Sequence, residues 1–148
     1  MRRSKIAGHG FYVPEKVVTN QDLMKIMDTT DEWIQERTGI KERHFYNPDY
    51  DTVSNMGTRA ANIALERAGI DVKAIDFIIL ATLSPDYFFP GSGVLIQKEL
   101  GLESIGALDV RNQCSGFLYA LSIADNFIKD GIVRASKSYA GLITITRL

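Results

Sequence analysis

The chain has 148 residues, with 17 basic and 18 acidic side chains and a net charge of -1. That length suits one domain, and the balanced charge argues against nucleic-acid binding, which would show a basic excess. Hydrophobic residues make up 45% and charged residues 24%, the usual proportions of a soluble globular protein. A single cysteine cannot form an internal disulfide, so a reducing, cytoplasmic compartment is expected.

Residues 1–5 are basic, but Gly8, His9, Gly10 and Pro14 interrupt the apolar stretch that follows. Neither a signal peptide nor a membrane span is expected. Residues 6–13 read as a short strand closed by Pro14. Gly8-x-Gly10 lacks the third glycine and the adjoining helix of a dinucleotide fingerprint. A turn or close backbone packing is the reading taken. Thr19 or Asn20 caps a predicted helix through Leu23, Ile26 and Met27, and Asp31 caps another that holds Trp33 and Ile34 and ends at Gly39. Trp33 and Arg37 lie four apart, on one helical face. Such a pair either clamps a flat ring and a phosphate or forms a surface cation–π contact.

Residues 41–48 read as a loop or edge strand, with His44 a surface or packing residue. Neither histidine has metal-ligand spacing with the other or with Cys114, and no metal is assigned. Ser54 opens a helix with apolar positions at Met56, Ala60, Ile63, Ala64 and Ala68, and Gly69 ends it. Residues 77–82 form a continuous β-branched and apolar run, which fits a strand buried on both faces. The loop 84–93 carries Phe88, Phe89 and Pro90, placed either to close the core or to line a site at a strand end. Residues 94–100 read as a helix stopped by Gly101, residues 105–110 as a buried strand, and 114–129 as a long helix ended by Gly131. Alternating strand and helix patterns indicate an α/β fold with a mostly parallel sheet and helices on both faces.

Cys114 lies where a strand pattern gives way to a helical one, followed by the small residues Ser115 and Gly116. A helix N-terminus offers free N–H groups and a positive partial charge, which push a thiol toward thiolate, the nucleophilic form. The competing reading is a small buried hydrophobe.

Taken together, several segments in register resemble the N-terminal half of β-ketoacyl-acyl carrier protein synthase III, in the thiolase-like superfamily. They are Gly8-His9-Gly10-Phe11-Tyr12-Val13-Pro14, Asp28-Thr29-Thr30-Asp31-Glu32-Trp33-Ile34 with Arg37-Thr38-Gly39-Ile40, the stretch from Ala81-Thr82 to Phe89-Pro90, and Asp109-Val110 to Gly116-Phe117 with Tyr119-Ala120-Leu121. The resemblance implies a thiolase-like half-domain over 1–131. It implies that Cys114 takes an acyl group from acyl-coenzyme A, and that malonyl-acyl carrier protein then loses carbon dioxide and attacks the thioester. No permanently bound cofactor is implied, since the coenzyme A thioester is a substrate. Trp33 matches the residue that stacks on the adenine, and Thr29 and Arg37 match positions at the nucleotide end. Phe89 matches the aromatic residue that shapes the acyl pocket across the interface of a homodimer.

The family's active-site His and Asn come from its C-terminal half, which leads to the expectation that this chain alone does not complete the condensation. The alternative is a non-catalytic partner subunit or a non-functional truncated product. One half is also expected to expose an apolar face. The tail 132–148 departs from the family pattern: residues 134–141 are polar and patternless where a buried strand is expected. A frameshift explains this if the stretch from Val133 into Leu142, read one base later, encodes that strand; truncation is the other reading.

Overall fold

The structure, a computed structural model, describes residues 4–133 and 139–144. The chain divides into two compact units. One joins the segment ending at Tyr12 to the chain from Thr52 onward, and the other is Val13–Asp51.

The larger unit is a three-layer α/β/α arrangement. Its elements, labelled in chain order with those of the smaller unit, are α3 (Val53–Ala68), a 3-10 turn (Val72–Ala74), β3 (Ile75–Ala81), α4 (Ser92–Glu99), β4 (Gly106–Val110), α5 (Gly116–Lys129) and β5 (Tyr139–Thr144). The strands form one parallel sheet in the order β4-β3-β5. Alternation along β3 divides the core. Ile78 and Leu80 face Val53 of α3 and Ile96 of α4, whereas Ile79 and Ala81 face Ala120 and Ala124 of α5. A register shift between Ile75 and Phe77 puts Ile75 on the side of Ile78. Burial on both faces is why β3 reads as an unbroken apolar run. β4 is only half-buried along its length, so the expected buried strand at 105–110 is corrected there.

The predicted strand at 6–13 is not formed. Residues 4–14 carry no strand assignment, and Ile6 and Phe11 are exposed. An apolar alternation becomes a strand only where a partner ladder meets it, and a local pattern cannot supply that partner. The segment instead lies against α3: a Cβ on Gly10 would come within 2.2 Å of the Ala60 carbonyl oxygen, and one on Gly8 within 2.5 Å of that of Ala64. Gly8-x-Gly10 is therefore a close-packing motif. Arg67 donates to the His9 carbonyl at 3.2 Å, and Arg59 donates to the Tyr12 hydroxyl at 2.8 Å.

Of the tail, residues 134–138 and 145–148 fall outside the described residues, and with them most of the divergent-tail reading. Tyr139–Thr144, however, forms β5 beside β3. The patternless reading stopped at Gly141, in the middle of a run whose second half, Leu142-Ile143-Thr144, has strand-forming chemistry.

The smaller unit pairs β1 (Lys16–Thr19) antiparallel with β2 (Glu42–Phe45). Between them lie α1 (Asn20–Leu23) and α2 (Asp31–Thr38). The predicted first helix is shorter than expected: it ends at Leu23, and Ile26 and Met27 are exposed. Thr30, not Asp31, caps α2, its hydroxyl accepting from Trp33 N–H at 3.1 Å. Asn20, fully buried, is the polar hub of the unit. Its amide donates to Asp31 at 2.6 Å and to the Ile40 carbonyl at 2.9 Å, and its oxygen accepts from Arg43 at 2.6 Å. A buried amide is tolerated because its hydrogen bonds are made.

Candidate active site

The carboxyl ends of β3 and β4 form one rim of the larger unit, where ligand sites of open parallel sheets lie. Three helices begin near this rim, and their N-termini are treated differently. At α3, the Asp86 carboxylate accepts from Val53 N–H at 2.5 Å and Ser54 N–H at 2.8 Å, and Thr52 accepts from Asn55 N–H at 3.1 Å. At α4, the Asp109 carboxylate accepts from Ser92 N–H at 3.0 Å and Gly93 N–H at 3.1 Å. Gly91 precedes that helix at a φ of 128°, and a Cβ there would come within 2.9 Å of Asp109. Only glycine meets both demands.

At α5, among the described residues, no side-chain hydrogen bond caps the first turn. The reason is conformational. Ser115, at the cap position, has helical φ and ψ of -83° and -3°, not the extended backbone that lets a cap side chain reach forward. Its hydroxyl turns back to Asn112 at 3.4 Å. Cys114 sits in the turn before this end and is exposed, with a free thiol. The helix begins at Gly116, two residues later than the sequence pattern indicated, so the thiol precedes the helix and is not part of it. The buried-hydrophobe reading of Cys114 is set aside by its exposure. Gly116 packs against Ala81 of β3, which brings the start of α5 onto the rim.

Phe89 lies on the loop between β3 and α4 and is 87% exposed, as is Phe88. Ser92 Oγ accepts from Asp86 N–H at 2.8 Å, so the two carboxylate caps are tied together at the base of this loop. Asp86, Ser92, Asp109 and Arg111 were missed by sequence reasoning. Their partners lie 6 to 33 residues away, beyond any local capping pattern.

Thr29, Trp33 and Arg37 belong to the smaller unit. The Arg37 guanidinium lies 4.9 Å from the Trp33 ring centroid, and Trp33 is 53% exposed. The surface cation–π reading of this pair is thus realised, with the ring still open to solvent. Thr29 Oγ1 is buried without a hydrogen-bond partner among the described residues. His44 is a packing residue, as expected: its Nδ1 donates to the Pro14 carbonyl. A shallow depression at the C-terminal end of α4 is lined by Gln97, Lys98 and Glu103, and Cys114 is not among its lining residues.

The family model for 3-oxoacyl-[acyl-carrier-protein] synthase III matches residues 108–137, the segment that contains Cys114. The chain is 53% identical over 134 residues to the β-ketoacyl-[acyl-carrier-protein] synthase III of Ehrlichia canis, covering 90% of this chain and 42% of that protein. Against the enzyme of the same description from Xanthomonas euvesicatoria, identity is 47% over 145 residues, covering 98% and 44%. The crystal structure of 3-oxoacyl-[acyl-carrier-protein] synthase III from Aquifex aeolicus superposes with a TM-score of 0.81 at 50% identity, covering 86% of this chain and 41% of that one.

The chain belongs to the 3-oxoacyl-[acyl-carrier-protein] synthase III family.

It spans about two-fifths of the length of the curated relatives it matches. The thiolase-like fold read from its sequence is the fold of its structural neighbours in the synthase III family. No helix among the described residues is long and apolar enough to cross a membrane.

Proposed function

We propose that this chain carries the acyl-accepting part of a synthase III that starts fatty acid synthesis. The observation that carries the reading is the exposed Cys114 thiol beside the uncapped N-terminus of α5, at the carboxyl ends of parallel strands. In the first half-reaction the Cys114 thiolate attacks the carbonyl carbon of an acyl-coenzyme A. The sulfur–carbon bond to Cys114 forms, the coenzyme A thiolate leaves, and it takes up a proton. The charge on the tetrahedral oxygen is met by backbone N–H groups at the start of α5, which are preorganised and cost no reorganisation. In the second, malonyl-acyl carrier protein loses carbon dioxide, and its carbanion attacks the acyl-enzyme and releases the Cys114 thiolate.

Trp33 and Arg37 fit the coenzyme A end: an exposed indole face stacks on a flat ring, and a guanidinium pairs with phosphate. Thr29 lies one residue before the cap of α2 and is assigned the same end. Phe89 is assigned the acyl pocket, contributed across a homodimer. The exposure of Phe88, Phe89, Phe117 and Leu118 favours such an association, because an association buries exposed apolar side chains of this size. The polypeptide of residues 1–148 by itself is expected to stop at the acyl-enzyme. Decarboxylation needs positioned donors, and His44 is committed to the Pro14 carbonyl.

Intact mass after incubation with acetyl-coenzyme A tests the reading. A single acetyl adduct is expected on the parent chain and none on Cys114→Ser. An adduct of equal yield on the serine variant would overturn the assignment.

A further inference from the structure

The loop between β3 and α4 is anchored at its two ends and reaches far into solvent at its middle. Its first end is tied where Thr82 N–H donates to the Val110 carbonyl at 3.1 Å. Its second is held by Asp86, Ser92 and Asp109. Across 87–90, the described hydrogen bond is one from Arg111, whose Nη2 donates to the Phe88 carbonyl at 2.6 Å. The same guanidinium lies 4.5 Å from the centroid of the Phe88 ring. A charged donor on a carbonyl combined with a cation over a ring fixes both the backbone and the side chain of one residue.

The position of Arg111 follows from the strand period. Ala107 packs with the core facing α3 and α4, and Val110 with the core facing α5. Asp109 and Arg111 continue the first set, on the side where the loop lies. Arg111 is also three residues before Cys114. One short segment therefore holds the aromatic loop with its even-spaced side chains and then delivers the thiol.

We propose that Arg111 is a positioning residue: it latches the Phe88–Phe89 loop and through Phe89 sets the length of acyl chain that the synthase accepts. This rests on the acyl-enzyme reading above. Lysine at the same position keeps a charged donor for the carbonyl and loses the planar stack, so it rescues in part. Removal of the side chain leaves the middle of the loop free to open while its anchored ends stay closed.

The test uses the purified chain, Arg111→Ala and Arg111→Lys, with thermal unfolding to establish that each is folded. One arm follows native chymotrypsin cleavage at Phe88–Phe89. Arg111→Ala is expected to be cut about tenfold faster, the scale set by losing a hydrogen bond to a charged group, and Arg111→Lys at an intermediate rate. The other arm measures Cys114 adduct formation with acetyl-, butyryl-, hexanoyl- and octanoyl-coenzyme A. The parent is expected to prefer some lengths strongly, Arg111→Ala to level that preference, and Arg111→Lys to restore part of it. Unchanged cleavage overturns the latch. Faster cleavage with an unchanged length profile overturns the role in specificity. A parent that forms no adduct with any thioester overturns the acyl-enzyme reading and the specificity role together, while the cleavage arm still decides the latch.

Discussion

The N-termini of α4 and α5 begin near the same rim of one sheet, yet one is closed by a carboxylate and the other is left open. At α4 the Asp109 side chain satisfies two N–H groups that would otherwise lack partners. At α5 the helical backbone of Ser115, the cap residue, prevents that, and Cys114 stands one residue before it. The contrast separates two uses of the same physics. A capped end contributes stability, and an open end keeps its positive potential, which on the proposed reading meets a charge that arrives only during reaction.

The largest effect is expected from removing the α4 cap. Asp109→Ala should destabilise the chain by about 2–3 kcal/mol, since two N–H donors lose a charged acceptor. Asp109→Asn, which keeps an oxygen there, should lose roughly half as much. Urea unfolding measures both; equal losses would mean that the effect belongs wholly to the carboxylate charge, and no loss in Asp109→Asn that the charge contributes nothing.

Closing the open end sharpens the comparison from the other side. Ser115→Asp places a negative charge at the start of α5 and should stabilise it by about 0.3–1 kcal/mol. The same charge should slow alkylation of Cys114 by iodoacetamide, because it opposes the thiolate. A variant that is more stable and equally reactive would show that the open end is incidental to the thiol.

The smallest effect concerns α1, whose capping box is itself titratable. Asp22 accepts from Thr19 N–H at 3.1 Å and pairs with Lys25 at 2.8 Å. The Lys25 ammonium, followed by the Thr19 bonds, holds its carboxyl well below the usual carboxylate range. A depressed carboxyl contributes stability that is complete above the unfolded value and is lost as pH falls through the lower folded one. α1 should therefore keep its cap down to strongly acid pH, and Asp22→Asn should remove that acid-range dependence. Carboxyl NMR titration of Asp22 checks the direction. An ordinary midpoint would count against the cap.

The elements flanking the site were legible because their signals are local. The apolar run of β3 and the glycines after α2, α3, α4 and α5 mark their bounds to within a residue or two. The Cys114 junction was also legible, because a strand pattern and a helical pattern meet there. The carboxylate caps were not: Asp86 reaches 33 residues back to Val53, and no spacing rule spans that distance. The strand expected at 6–13 failed for the complementary reason. Its pattern is local, but a ladder is not, and the two glycines there serve contact with α3.

The strand order carries a consequence for synthesis of the chain. β3 is central, yet its second neighbour, β5, follows β4 and α5 in the chain and leaves the ribosome after both. Until residue 144 has emerged, one long edge of the most apolar strand stays unpaired. During translation that edge is the point at which a nascent chain is most open to pairing with another or to capture by a chaperone.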